Sequence, residues 1–86
     1  MGSYQIKWRN RALKDLGRID RILLPRIIET AAGLAENPFP CGCKKLTGTE
    51  HTYRIRTGDY RIVYDVLHDV LIIQIVRVAH RREVYR

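Results

Sequence analysis

After Cys43 the hydrophobic period of this chain changes from a helical one to two, and that switch confines the C-terminal half to extended strands. In Thr52 to Arg56, Tyr53 and Ile55 face one way and Arg54 and Arg56 the other. Thr57-Gly-Asp59 forms a tight turn. Tyr60 to Val66 sets Tyr60, Ile62, Tyr64 and Val66 against Arg61, Val63 and Asp65. His68-Asp69 turns the chain again. Val70 to Val78 is apolar on both faces, which predicts a central strand.

The N-terminal half reads as one strand and two helices. Ser3 to Trp8 alternates, with Tyr4, Ile6 and Trp8 on one face and Gln5 and Lys7 on the other. Asn10 is suited to cap the helix that follows. That helix carries Ala12, Leu13, Leu16 and Ile19 on its apolar side, with Arg11, Lys14, Asp15 and Arg18 opposite. A second helix presents Leu24, Ile27, Ile28, Ala31, Leu34 and Ala35. Pro25 either sits in its first turn or kinks it. Asn37-Pro-Phe-Pro40 ends it. The short link makes the helices a hairpin. The expected fold is therefore α+β in the order β-α-α-β-β-β. One mostly antiparallel sheet carries a helical hairpin packed on one face, in a single domain over 1–86.

Charge narrows the partners. The formal net charge is +7 over 86 residues, which points to a polyanion: nucleic acid first, then an acidic protein or an anionic membrane. The longest apolar run, Val70 to Val76, is far below the ~20 residues needed to span a bilayer. The N-terminus turns polar at once, so no secretory leader is expected. Cys41 and Cys43, one glycine apart, read as free thiols in a reducing cytoplasm, with no metal site.

Strand parity gathers the basic residues. Arg54, Arg56 and Arg61 lie opposite the apolar sides of their strands, and Arg77, with Ala79 and Arg81, extends the alternation. If the helices cover the apolar side, the open face is a basic groove ending at His80-Arg-Arg-Glu-Val-Tyr85. Arg54 and Arg56 alone read equally well as solvent-facing strand residues. Arginine forks grip phosphate, tyrosine stacks on an unpaired base and histidine moves protons near neutrality. Two-metal cleavage needs clustered carboxylates, and none are visible. Metal-free RNA cleavage fits better, because RNA supplies its own nucleophile, the 2′-hydroxyl. The protein then has to align the attack, neutralise phosphoryl charge and protonate the leaving oxygen. His80 is a candidate for proton transfer. His51 and His68 read as turn residues.

Lys44-Lys-Leu46, Tyr53-Arg-Ile-Arg56, Gly58-Asp-Tyr-Arg-Ile-Val-Tyr64 and Val76-Arg-Val-Ala-His-Arg-Arg-Glu-Val-Tyr85 together resemble the RelE/ParE superfamily of toxins. The resemblance is strongest to the RelE branch, whose members cut messenger RNA in the decoding site of the ribosome and are restrained by a cognate antitoxin. It implies that Arg61 and Arg81 bind the phosphate and the transition state, and that Tyr85 positions or stacks on a base. Arg54 and Arg56 stand where many RelE-like toxins have lysines that help to activate the 2′-hydroxyl. An arginine is a poor general base, so these two act electrostatically or another group takes the proton. Lys44 and Lys45, with Arg77 and Arg82, are expected to hold ribosomal or messenger RNA. The implied partners are a small acidic antitoxin, in a hetero-oligomer with the toxin, the ribosome and messenger RNA. The location is cytoplasmic and no cofactor is required. Two rivals are a gyrase-poisoning toxin of the ParE branch and a non-catalytic RNA-binding or partner-binding module.

Overall fold

The computed structural model describes residues 3–82. Strand β1 (Gln5–Trp8) alternates as its residues do, with Ile6 and Trp8 half-buried and Gln5 and Lys7 exposed. Helix α1 (Asn10–Leu16) follows at once. Asn10 is its first residue and not its cap: Arg9 holds the cap position in extended backbone, without a side-chain capping bond. The buried stripe is also rotated from the expected one. Ala12, Asp15 and Ile19 are buried, whereas Leu13 is 50% exposed. A carboxylate withstands this burial because the neighbouring strand supplies it with donors.

Helix α2 (Leu24–Gly33) has Pro25 in its first turn, where a missing N–H breaks no helical bond, so no kink is needed. Ile27, Ala31 and Leu34 are buried, while Ile28 is 46% exposed and lies off the packed face. After the helix, the Asn37 side-chain oxygen accepts a bond from the Phe39 N–H at 3.1 Å and turns the chain.

The remaining strands are β2 (Lys44–Lys45), β3 (Thr52–Thr57), β4 (Tyr60–Leu67) and β5 (Ile72–His80). A 3-10 turn over His68–Val70 joins β4 to β5. The sheet order is β1-β5-β4-β3-β2; β1 runs parallel to β5 and every other pair is antiparallel. β5 is thus interior, as its apolar composition requires. It begins at Ile72 and not at Val70, because Val70 and Leu71 belong to the exposed turn. The two-residue β2 is an addition that no hydrophobic period could reveal.

The helices cover one face. Ile55, Ile62, Tyr64, Val66, Ile73, Ile75 and Val78 meet Ala12, Ile19, Ile27, Ala31 and Leu34 there. Each fully buried aliphatic side chain contributes about 1.5–3 kcal/mol. One irregularity decides what the other face carries. Val63 pairs with Arg77, but the next residue, Tyr64, pairs with Ile75, so Val76 is an extra residue in β5. This bulge lets Ile73, Ile75 and Val78 share the helix side while Arg77 and Ala79 point away from it. Among the described residues no helix is long and apolar enough to cross a membrane.

Candidate nucleic-acid interface

On the face away from the helices, strand register builds two adjacent rows. Lys44, Arg54, Val63 and Arg77 lie side by side across β2, β3, β4 and β5. Arg56, Arg61 and Ala79 form the next row. Val63 and Ala79 are buried there, outside the helix-side core. A hollow of about 200 Å³ opens among these rows, lined by Gly42, Lys44, Arg54, Arg56 and Arg61. Its lining holds four cations and no acid.

Local sequence explains how the hollow is assembled. The two-residue loop Gly58-Asp59 joins Thr57 to its partner Tyr60 and holds Arg56 directly across from Arg61. Gly42 has φ of 92°, which L side chains rarely adopt, and its turn delivers Lys44 to the edge of β3 opposite Arg54. A Cβ there would meet only Ile55 Cδ1, at 4.0 Å, so what the position requires of glycine is its conformation. Among the described residues none of Lys44, Arg54, Arg56 and Arg61 has an ion-pair partner. The one carboxylate in the β4 face, Asp65, lies four residues along from Arg61 and accepts a bond from the Thr52 hydroxyl at 2.6 Å. Uncompensated positive charge in a concave site attracts anions, and guanidinium forks favour phosphate oxygens among them.

The other expected site residues lie elsewhere. Lys45 pairs with Tyr53, so it points to the opposite face of β2 from Lys44. Arg77 occupies the open-face row but its guanidinium turns to α1: Nε donates to Asp15 Oδ2 at 2.7 Å and a terminal nitrogen to Oδ1 at 3.3 Å. The Val78 N–H donates to the same carboxylate at 2.9 Å. Asp15 therefore caps the edge of β5 where β1 has ended, and it binds Arg77 into the frame. Arg81 is at the same end of the sheet as Arg61, just past Ala79, but does not line the hollow. Its N–H donates to the Asp59 carbonyl at 2.7 Å, and its exposed guanidinium lies 3.7 Å from the Asp59 carboxylate.

His80 pairs with Tyr60 on the helix side, their rings edge to face at 5.2 Å. It lines a separate cavity of about 260 Å³ together with Leu23, Arg26, Ile27, Thr57, Gly58, Asp59 and Tyr60. Its Nδ1 accepts the Arg82 N–H at 3.2 Å, and Arg82 is exposed. Tyr85 lies outside the described residues. Two contributors were not legible as site residues. Asp15 is hidden among the charged positions of α1, and Gly42 carried no signal beyond spacing two cysteines. Both thiols are free, Cys41 exposed and Cys43 half-buried.

Behind the hollow, Tyr64 anchors the loop that leads to Gly42. It is fully buried and its hydroxyl donates to the Pro38 carbonyl at 2.7 Å. Burial first, and then the nearby Cys43, push its phenol well above its ordinary range. Among the described residues no three His, Cys, Asp or Glu side chains converge as metal ligands would.

The fold and its acid-free hollow define a small α+β protein with one cationic sheet face. The family model for the ParE toxin of type II toxin–antitoxin systems matches residues 6–85. A putative toxin RelE1 of Methanocaldococcus jannaschii is 33% identical over 86 residues, covering 96% of each chain. A putative RelE-like toxin of Escherichia coli is 32% identical over 80 residues, 91% of this chain and 83% of that one. The chain superimposes on the archaeal RelE–RelB complex of Pyrococcus horikoshii with a TM-score of 0.82 at 29% identity, covering 95% of this chain and 99% of that one. The isolated E. coli RelE toxin matches with a TM-score of 0.81 over 95% of this chain and 88% of that one, at 21% identity, a likeness of fold. This chain belongs to the RelE/ParE family of type II toxin–antitoxin toxins.

Proposed function

We infer that this toxin is a ribosome-dependent endoribonuclease that cuts messenger RNA in the decoding site and so stops translation in the cytoplasm. The observation that carries the reading is the hollow of about 200 Å³, lined by four cations without acidic partners, which suits it to a phosphodiester. The chemistry asked of the protein is small, because the 2′-hydroxyl of the RNA attacks the adjacent phosphorus. Arg56 and Arg61, paired across the hairpin, hold the non-bridging oxygens and stabilise the charge that builds on them. Arg54 extends that field. Arg81, exposed at the sheet end, grips the neighbouring phosphate and exchanges its weak contact with Asp59 for it. Tyr85 positions a base. Arg77 acts from within the frame through Asp15, and Lys45 and Arg82 meet RNA outside the hollow. His80, on the helix side, shapes the strand end. No metal is needed for this chemistry.

The partner that restrains the toxin is an acidic antitoxin. Related RelE chains were crystallised in complexes with RelB, and a basic face of this kind favours a segment of opposite charge that folds on contact. The family model's own description favours a second reading, a gyrase poison of the ParE branch.

One experiment separates the two. Purified toxin is added to a reconstituted translation system and the messenger ends are mapped, with a parallel gyrase supercoiling assay. The expected result is cleavage only when ribosomes are present, leaving 2′,3′-cyclic phosphate ends, and blocked by a 2′-deoxy substitution at the cleaved nucleotide. Intact messenger together with inhibited supercoiling would replace the nuclease reading with the gyrase one.

A further inference from the structure

Activating a 2′-hydroxyl requires a group that accepts its proton. The nitrogen-bearing side chains of the hollow are those of Lys44, Arg54, Arg56 and Arg61. A guanidinium keeps its proton in proteins, so the three arginines cannot serve. Lysine does give up its proton, and its neutral amine is a base that enzymes use. Candidates from outside are held elsewhere. His80 lines the cavity on the helix side. His68 Nδ1 is 2.7 Å from the Tyr4 hydroxyl. The Asp15 carboxylate is buried against Arg77, and Asp65 is bonded by Thr52.

We propose that Lys44 is the proton acceptor of the cleavage reaction, an assignment that rests on the nuclease reading. Its placement follows from three features on the page. β2 is two residues long, its register sets Lys44 across from Arg54, and the positive-φ turn at Gly42 leads the chain into that strand. The adjacent lysines therefore divide their roles, since Lys45 faces away from the hollow. In the step itself the neutral Lys44 Nζ takes the 2′-hydroxyl proton, and the 2′-oxygen bonds to phosphorus. The bond from phosphorus to the 5′-oxygen breaks, and that oxygen leaves with a proton from water. The products are a 2′,3′-cyclic phosphate and a free 5′-hydroxyl, and the Lys44 ammonium returns its proton to solvent. The arginines hold the non-bridging oxygens throughout.

The test is single-turnover cleavage of messenger on programmed ribosomes across a pH series, with wild type, Lys44→Arg and Lys44→Ala. Wild-type rate rises about tenfold per pH unit along the acid limb of the profile, as general-base catalysis requires. Lys44→Arg keeps the positive charge and binds programmed ribosomes as wild type does. It cuts ~100-fold or more slowly, and its rate loses that slope. Methylamine added to Lys44→Ala restores part of the rate. Lys44→Arg cutting at the wild-type rate would overturn the assignment. So would a slow variant that keeps the wild-type slope, because lost positioning would then explain the defect. Failure of wild type to cut removes the nuclease reading and this step together, whereas an unaffected Lys44→Arg beside an active wild type removes only the role of Lys44.

Discussion

Asp15 and Arg77 form the ion pair most dependent on its surroundings. The carboxylate is 4% exposed and bonded to both the Arg77 guanidinium and the Val78 N–H, while Arg77 keeps 21% exposure. Removing the carboxylate takes two charged bonds from a half-buried guanidinium and leaves the Val78 N–H without its acceptor. Asp15→Ala is therefore expected to lower stability by about 2–4 kcal/mol in urea unfolding, well above a surface pair. Tyr64 gives the second residue-scale expectation. Burial holds its folded phenol well above the ordinary tyrosine value of 10.0, which it regains on unfolding. A raised value favours the protonated, folded form, so the contribution is complete below about pH 10 and is lost as pH rises beyond it. Stability should fall by about 1.4 kcal/mol per pH unit above about pH 10 from this group alone. Tyr64→Phe should show a shallower alkaline decline, though a lower neutral stability because the Pro38 bond is gone. An identical alkaline slope in both proteins would remove Tyr64 as the cause.

The β3–β4 hairpin is the element on which the site depends. Gly58 has φ of 61° and no non-glycine residue of the loop has positive φ, the arrangement of a II′ turn with glycine at its first central position. Gly58→Ala should cost about 1–2 kcal/mol and reduce cleavage by loosening the opposition of Arg56 and Arg61, read by thermal unfolding and by rate. This hairpin was legible beforehand, because Thr57-Gly-Asp59 between two alternating runs fixes both turn and parity. The placement of Arg54, Arg56 and Arg61 followed from it. What was not legible arose from tertiary accommodation. Val76 is an ordinary apolar residue of a strand apolar on both faces, and nothing in it marks the extra residue that turns Arg77 away from the core side. β2 is too short to have a period. Asp15 reads as solvent-facing until the edge of β5 is seen to need an acceptor. Leu13 and Ile28 fit the helical repeat but fall outside the packed stripe, because α1 and α2 are short and bury narrow faces.

At the scale of the whole molecule, the sheet separates two tasks. The helix side holds the apolar core, and the opposite side gathers cations that no acid neutralises in the hollow. Four of the chain's sixteen lysines and arginines line this one hollow, where their fields add. An antitoxin that binds the folded state would stabilise a chain of modest core by mass action. The central claim is that this hollow holds the phosphodiester being cut. It is tested most directly by the single-turnover rate of Arg61→Ala on programmed ribosomes relative to wild type. A loss of about 10²–10³-fold is predicted, with ribosome binding little changed. A variant that cuts as fast as wild type would contradict it.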